Sequence, residues 1–158
     1  MSGPRRPRLV VVAPSSLDAV TFAGGWIFDR VMIGWEATVV TLGCTDFRPL
    51  RILGSDVADL ESALGDGRIT PTPQAMIIDG ELYRSDARVR AMAEGTMDDG
   101  LDQIMLWTDG DPDDRIAGAG RMQHQLSVAA LAFKAQALVA VGAPADPVET
   151  SETFHRRP

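Results

Sequence analysis

Residues 9–25 read LVVVAPSSLDAVTFAGG, and this stretch decides the fold. Its first four residues are apolar, which is typical of a buried strand, and Pro14 ends the strand because proline cannot donate a hydrogen bond to a sheet. Ser15 or Ser16 can cap the helix that follows, and Asp18 lies in the first turn, where a negative charge is favourable. Open α/β sheets bind ligands at the carboxyl ends of their strands, so we expect the functional site at this turn.

Length and composition indicate a single globular domain. The chain has 158 residues, 45% of them hydrophobic, and its one cysteine, Cys44, excludes an internal disulfide and fits a reducing cytoplasm. The net charge of -7 argues against a nucleic-acid partner, and no apolar run reaches the roughly 20 residues of a membrane span. We expect a flexible N-terminus at 1–8, an α/β domain at 9–142 and a flexible, aperiodic tail at 143–158.

Helical periodicity and apolar runs predict the remaining elements. Residues 17–33 form a predicted helix and residues 37–42 a second strand, which completes a βαβ unit and therefore requires parallel strands. The fold class is α/β: a three-layer, Rossmann-like domain with a mostly parallel sheet. The other predicted strands are 49–53, 74–78, 103–108 and 138–141, and the other predicted helices are 55–64, 85–95 and 115–136.

Four segments resemble motifs of the LmbE/PIG-L family of zinc-dependent N-acetylglucosamine deacetylases. Residues 13–25 fit the family's first motif, A-P-H-P-D-D-E-x-x-x-x-G-G, without a gap, and residues 37–42, ATVVTL, look like its V-T-V-V-T-L strand. Residues 79–82, DGEL, look like the family's P-D-G-x-L turn. Residues 111–115, DPDDR, fall where the family has H-P-D-H-R, after a strand and before a helix. The resemblance implies the family's fold.

The residues that carry the family's chemistry differ in this chain. In the family, the first histidine and the second aspartate of the first motif bind zinc, and the first aspartate is the general base. The last histidine of H-P-D-H-R is the third zinc ligand. Carried over by position, the liganding aspartate is kept as Asp18, and the base becomes Leu17. The liganding histidines become Ser15 and Asp114, and the other histidine becomes Asp111.

This donor set suits a hard cation better than zinc. Zinc prefers imidazole and thiolate, whereas a hydroxyl and two carboxylates suit Mg²⁺ or Ca²⁺. We therefore expect no zinc, and either no cofactor or a divalent cation, Mg²⁺ or Ca²⁺, bound weakly through Asp18 and Asp114. Leu17 cannot accept a proton, so we expect no deacetylation from these positions.

The candidate pocket residues also have structural explanations. Asp18 can be a helix-start charge, Ser15 and Ser16 can be turn and cap residues or can bind an anion, and the acidic loop 109–114 can be solvated. If the carboxylates meet in one crevice they repel, so at least one of them should have a raised pKa. The candidate pocket comprises Ser15, Ser16, Asp18, Asp79, Asp111, Asp113, Asp114 and Arg115.

Other conspicuous side chains have ordinary roles in this interpretation. His124 is expected in a long helix as a core or surface histidine, and Cys44 as a buried thiol. Trp26, Trp35 and Trp107 are expected to anchor the core or an interface.

Three hypotheses for function follow. The leading one is a non-catalytic LmbE/PIG-L-like protein, a pseudoenzyme, that binds a small polar or sugar-like ligand or a protein partner. The second is a divergent metal-dependent hydrolase that acts on an N-acyl amino sugar or a related amide. The third is an oligomeric scaffold with an interface at Trp26 and Trp35. Family members are usually longer, so we expect a C-terminal part of the domain to be absent and the exposed surface to form a homo-oligomer, most simply a dimer.

Overall fold

The computed structural model describes residues 6–43, 46–101, 103–109, 120–143 and 147–157. Its strands are β1 (Arg8–Val12), β2 (Glu36–Thr41), β3 (Asp56–Asp59), β4 (Ala75–Asp79), β5 (Ile104–Trp107), β6 (Arg121–Gln125) and β7 (Ser151–Arg156). Its helices are α1 (Ser16–Met32), α2 (Arg48–Ile52), α3 (Leu60–Asp66), α4 (Gly80–Ser85), α5 (Ala87–Asp98) and α6 (Val128–Ala140). Within these ranges, no helix combines the length and apolarity that a membrane span needs.

The described strands form one mixed sheet in the order β3-β2-β1-β4-β5-β7-β6. The first five strands in that order pair in parallel, and β7 pairs antiparallel with both β5 and β6. β1 is the middle strand of this parallel part, and its Val10 lies opposite Thr38 on one side and Met76 on the other. The predicted α/β fold with a mostly parallel sheet is confirmed.

A layer of helices covers each face of the sheet, and alternate residues of β1 face the two layers. Leu9 and Val11 pack in a core with α1, α2 and α6, whereas Val10 and Val12 pack in a core with α3 and α5. Because both faces are covered, β1 is a continuous apolar run from Leu9 onward rather than an alternating one. The sheet therefore presents its two strand ends, and not its faces, to ligands.

Two predictions about residues 49–64 are wrong. The predicted strand 49–53 is part of α2, whose first turn accepts Pro49 because the missing N–H needs no partner there. The predicted helix 55–64 is the edge strand β3 followed by α3, which Asp59 caps by accepting a hydrogen bond from Ser62 N at 2.9 Å. β3 exposes most of its residues. The apolar spacing in the sequence therefore does not mark one helix face, and among the apolar residues of 55–64 only Leu60, the first residue of α3, is fully buried.

The predicted long helix 115–136 is confirmed only from Val128 onward and is wrong for residues 121–125, which form a strand. Met122 lies in β6, and α6 begins only after Ser127, whose side chain accepts a hydrogen bond from Ala130 N. Met122 and Leu126 are four residues apart, a spacing that places two side chains on one face in a helix and in a strand alike. Residues 138–141, predicted as a strand, are the end of α6 and its cap.

The predicted flexible tail at 143–158 contains the strand β7. Glu152, Phe154 and His155 are buried there, and the Phe154 ring packs edge-on against Trp26 with ring centroids 5.9 Å apart. The three prolines and the many polar residues of this segment predicted a flexible tail. The prediction failed because pairing with β5 and β6 buries polar residues of this strand.

Candidate ligand cleft at the carboxyl ends of the strands

The turn after β1 is held by one serine. Ser15 caps α1 in an extended conformation, with its Oγ accepting a hydrogen bond from Asp18 N at 3.2 Å and donating one to Asp18 Oδ2 at 2.8 Å. Ser16 is the first residue of α1. The cap predicted at Ser15 or Ser16 is therefore Ser15, and two of the three positions that the resemblance assigns to metal ligands, Ser15 and Asp18, hydrogen-bond to each other.

A second acid lies at the end of β4, the strand beside β1. Asp79 caps α4: Oδ1 accepts a hydrogen bond from Leu82 N at 2.9 Å, and Oδ2 accepts one from Trp107 Nε1 at 3.1 Å. Burial raises the pKa of the Asp79 carboxyl, and the nearby charge of Asp18 raises it further. The expected raised pKa is thus found at Asp79, with burial as its first cause and repulsion as a lesser one.

Asp18 borders a cleft of about 390 Å³ at the carboxyl ends of the strands, the carboxyl-end cleft. Leu17, at the position of the family's general base, lies at the cleft with 42% of its surface exposed. Phe22 forms one wall and stacks on Trp107, with ring centroids 5.8 Å apart. The cleft therefore combines an acidic rim with apolar walls. Its other described lining residues are Asp18, Thr21, Asp109, Lys134, Leu138, Ala143, Pro147, Val148 and Glu149.

The only lysine of the chain, Lys134, lies beneath the cleft in a buried ion pair. Its Nζ donates hydrogen bonds to Glu152 Oε2 at 2.8 Å and to Thr21 O at 2.7 Å. Glu152 also accepts hydrogen bonds from the backbone N–H groups of Gly25 and Trp26, at 2.8 and 2.7 Å, in the middle of α1. The positive charge of Lys134 is therefore neutralised, and the cleft stays acidic.

Gly25, the last residue of the first motif, donates its N–H to Glu152 and also lies very close to Leu126. A Cβ at Gly25 would clash with the Leu126 side chain, so only glycine allows this close approach. Sequence reasoning missed both Lys134 and Glu152. The signal that could have revealed Lys134 is its place as a lone cation in the apolar segment VAALAFKAQALVA.

The structure brings together only part of the predicted site. Ser15, Asp18 and Asp79 lie at the carboxyl ends of β1 and β4, and Ser16 opens α1 beside them. His124 lies in β6 rather than a helix, and its Nε2 is 2.9 Å from Asp29 Oδ2. The remaining candidates lie outside the described residues; they are Cys44, Asp111, Asp113, Asp114 and Arg115.

The described residues do not fit the zinc that the resemblance implies. Within the described ranges, no group of three histidine, cysteine, aspartate or glutamate side chains could hold a metal ion. The nearest donors are the hydroxyl of Ser15 and the carboxylates of Asp18 and Asp79, and both oxygens of Asp79 already accept hydrogen bonds. Neither imidazole nor thiolate is present among the described residues that line the cleft.

Solved structures with this architecture include deacetylases and a hydratase. The A40926 pseudoaglycone deacetylase Dbv21 matches 96% of this chain over 97% of its own length, with 15% identity and a TM-score of 0.63. The N,N'-diacetylchitobiose deacetylase from Pyrococcus horikoshii matches 96% of this chain over 84% of its own, with 14% identity and a TM-score of 0.61. The chain has the LmbE/PIG-L fold. The 4-carboxy-2-hydroxymuconate hydratase GalB from Pseudomonas putida matches 95% of each chain, with 14% identity and a TM-score of 0.63.

These matches bear on the expected length of the domain and on what can be said of its activity. The chain covers nearly the whole length of Dbv21 and GalB, so these two matches give no support to the expectation that a C-terminal part of the domain is absent. No protein-family model matches the sequence, and no curated protein matches it either. Identities of 14–15% show the fold and do not show the activity. A hydratase among the matches shows that this fold carries more than one activity.

Proposed function

We propose that this protein is a non-catalytic relative of the LmbE/PIG-L-type deacetylases, which binds a small sugar-like ligand in the carboxyl-end cleft. The observation that carries the proposal is Leu17: an exposed aliphatic side chain lies at the cleft in the position of the general base. A leucine can neither accept a proton nor activate water, so the geometry supports binding without turnover.

The lining of the cleft favours a ligand that has a polar and an apolar side. Asp18, Asp109 and Glu149 offer acceptors for hydroxyl or ammonium groups, and Phe22 offers a flat ring against which an apolar sugar face can pack. Because Lys134 is neutralised by Glu152, the acidic rim also favours a cationic ligand over an anionic one. Glucosamine is the simplest compound with these properties.

Titration with glucosamine and with N-acetylglucosamine, followed by NMR, tests the proposal. We expect saturable binding that is tighter for the amine, weakened when Asp109→Asn and Glu149→Gln are combined. The control is Asp66→Asn, which removes an exposed acid on α3, far from the cleft. The absence of binding by both sugars, or equal binding by all variants, would contradict the proposal.

A divergent metal-dependent hydrolase acting on an N-acyl amino sugar is the second candidate. It is favoured by the deacetylases among the matching structures and by the retained Asp18. The two candidates differ in acetate release from N-acetylglucosamine conjugates in the presence of Zn²⁺, Mg²⁺ or Ca²⁺. Release that Asp18→Asn abolishes would establish the hydrolase, and no release above the buffer rate supports the binding protein.

We also propose that the protein forms a dimer through α6 rather than through the tryptophans. Trp26 is only 3% exposed and belongs to the core, so it cannot carry the interface expected from the sequence. Val128 and Val139 on α6 are instead 86% and 66% exposed, which leaves an apolar helix face in water. Light scattering should give a dimer mass that Val139→Glu lowers to a monomer mass, whereas a monomer at high concentration would contradict this.

A further inference from the structure

A second cleft, the amino-end cleft, lies at the amino ends of the parallel strands, opposite the carboxyl-end cleft. Its volume is about 280 Å³, and it lies where β4 and β5 begin, beneath the C-terminal half of α1. Of the residues that the sequence singles out, Trp26 and Trp35 line this cleft. The lining side chains that matter are Trp26, Arg30, Trp35, Gln74, Gln103 and Met122.

Arg30 is held in this cleft by two indole rings. Its guanidinium carbon lies 5.6 Å from the ring centroid of Trp26 and 5.4 Å from that of Trp35. Within the described ranges, the Arg30 side chain makes no hydrogen bond and no ion pair, and its Nε is buried without an acceptor. Stacking on aromatic rings fixes a guanidinium and still leaves N–H donors for an anion.

The lining of the amino-end cleft matches an anion with an apolar body. Arg30 is the one ionised group among the described lining residues, in a chain whose net charge is -7. Trp26 is almost fully buried, and its Nε1 is a further donor without an acceptor in the described ranges. Around these donors the surface is apolar and adaptable, because Trp35 and Met122 form the walls.

We propose that the amino-end cleft binds a small organic carboxylate with a flat apolar body. The carboxylate accepts two N–H hydrogen bonds from Arg30, an arrangement in which guanidinium is more selective than ammonium. The apolar body packs against Trp35 and Met122, and the side-chain amides of Gln74 and Gln103 at the mouth serve the polar substituents of the ligand. This site is independent of the carboxyl-end cleft and of the function proposed there.

Titration with benzoate and with indole-3-acetate, followed by backbone NMR shifts of the full chain, tests this site. We expect saturable binding that shifts the signals around Trp35 and the start of β4 and β5. Benzyl alcohol, which keeps the ring and lacks the charge, should bind about tenfold more weakly or worse. Arg30→Gln should weaken benzoate by a similar factor, whereas Arg51→Gln, which removes an exposed arginine stacked on Phe47 outside this cleft, should not.

A second variant keeps the test decisive if Arg30→Gln does not fold. Gln103→Glu changes an exposed residue at the mouth of the cleft and leaves the stacked arginine in place. The added carboxylate places a negative charge at the mouth of the cleft, which repels benzoate, so it should weaken benzoate binding. The proposal is overturned if neither carboxylate binds saturably at millimolar concentration, if benzyl alcohol binds as well as benzoate, or if binding survives in Gln103→Glu.

Discussion

The two clefts lie at opposite edges of one sheet and have opposite charge. The carboxyl-end cleft is bordered by Asp18, Asp109 and Glu149, and its lysine is neutralised, whereas the amino-end cleft has Arg30 and no acid among its described lining residues. Much of this difference follows from the fold. In a parallel α/β sheet, helices begin at the carboxyl edge and end at the amino edge, so their dipoles favour acids at one edge and bases at the other.

Helix dipoles and helix caps explain the positions of some residues in the two clefts and not of others. Asp18 lies in the first turn of α1 and Asp79 caps α4, so the fold alone accounts for both acids. Arg30 lies in the last turn of α1, where a base is favourable, but its position between two indoles needs a further explanation. Leu17 has no role in the helix cap, and its exposure at the cleft is what argues against catalysis.

Glu152→Ala should have the largest effect, because it would leave Lys134 as an unpaired buried charge and two N–H groups of α1 without acceptors. We expect the free energy of unfolding to fall by about 3–5 kcal/mol, measured by urea denaturation. Glu149→Ala removes an exposed acid from the same cleft and should change it by less than about 0.5 kcal/mol. Equal effects of the two substitutions would contradict the buried ion pair.

Asp79→Ala should have the next largest effect. It removes a helix cap and leaves the Trp107 indole N–H without its acceptor, so we expect a loss of about 2 kcal/mol. Asp59→Ala is the matched control, because Asp59 caps α3 at an exposed position and holds no buried donor. It should cost about 1 kcal/mol. A cost for Asp79→Ala no larger than that of the control would show that the link to Trp107 contributes no stability.

The pH dependence of stability should reveal the electrostatic repulsion between Asp18 and Asp79. The folded-state pKa of Asp79 is raised, so the stability that this group contributes is present at low pH and lost as the pH rises through that pKa. Asp18→Asn removes one of the causes and should reduce this loss, measured by unfolding between about pH 3 and pH 6. Asp66→Asn should leave the loss unchanged. Identical slopes for wild type and Asp18→Asn would place the two acids too far apart to interact.

A divalent cation should have the smallest effect. Millimolar Mg²⁺ or Ca²⁺ should raise Tm slightly, because a cation near Asp18 relieves repulsion and binds only the folded state. Asp18→Asn should remove the rise, and so should Asp114→Asn, which changes the other carboxylate that the resemblance places at a metal position. A Tm that no cation changes would leave the acids as helix caps alone.

The sequence predicted the centre of the fold better than its edges. The apolar run after Arg8 and the capping serine are local signals, so β1, α1 and the parallel pairing with β2 could be predicted. Farther from the centre, β3 and β7 are polar strands, and no apolar run in the sequence marks either of them. Composition therefore predicted a flexible tail where the structure has β7.

The site residues that directly follow strands could be predicted from the sequence, and those that meet only in the folded chain could not. Ser15, Asp18 and Asp79 follow strands directly, so topology brings them together. Lys134 and Glu152 lie on α6 and β7, and they meet mid-helix residues of α1 that no local pattern marks. Arg30 is stacked by one tryptophan of its own helix and another beyond the helix end, an arrangement that only the folded chain shows.

The zinc content of the untagged protein after exhaustive dialysis tests the central claim most directly. The claim is that this chain keeps the LmbE/PIG-L fold without the metal-binding and proton-accepting set of the deacetylases it resembles. It predicts zinc far below stoichiometry in the wild type, unchanged in Asp18→Ala. It also predicts a gain of zinc in the folded variant that combines Ser15→His, Leu17→Asp and Asp114→His. Stoichiometric zinc in the wild type that is lost in Asp18→Ala would contradict the claim.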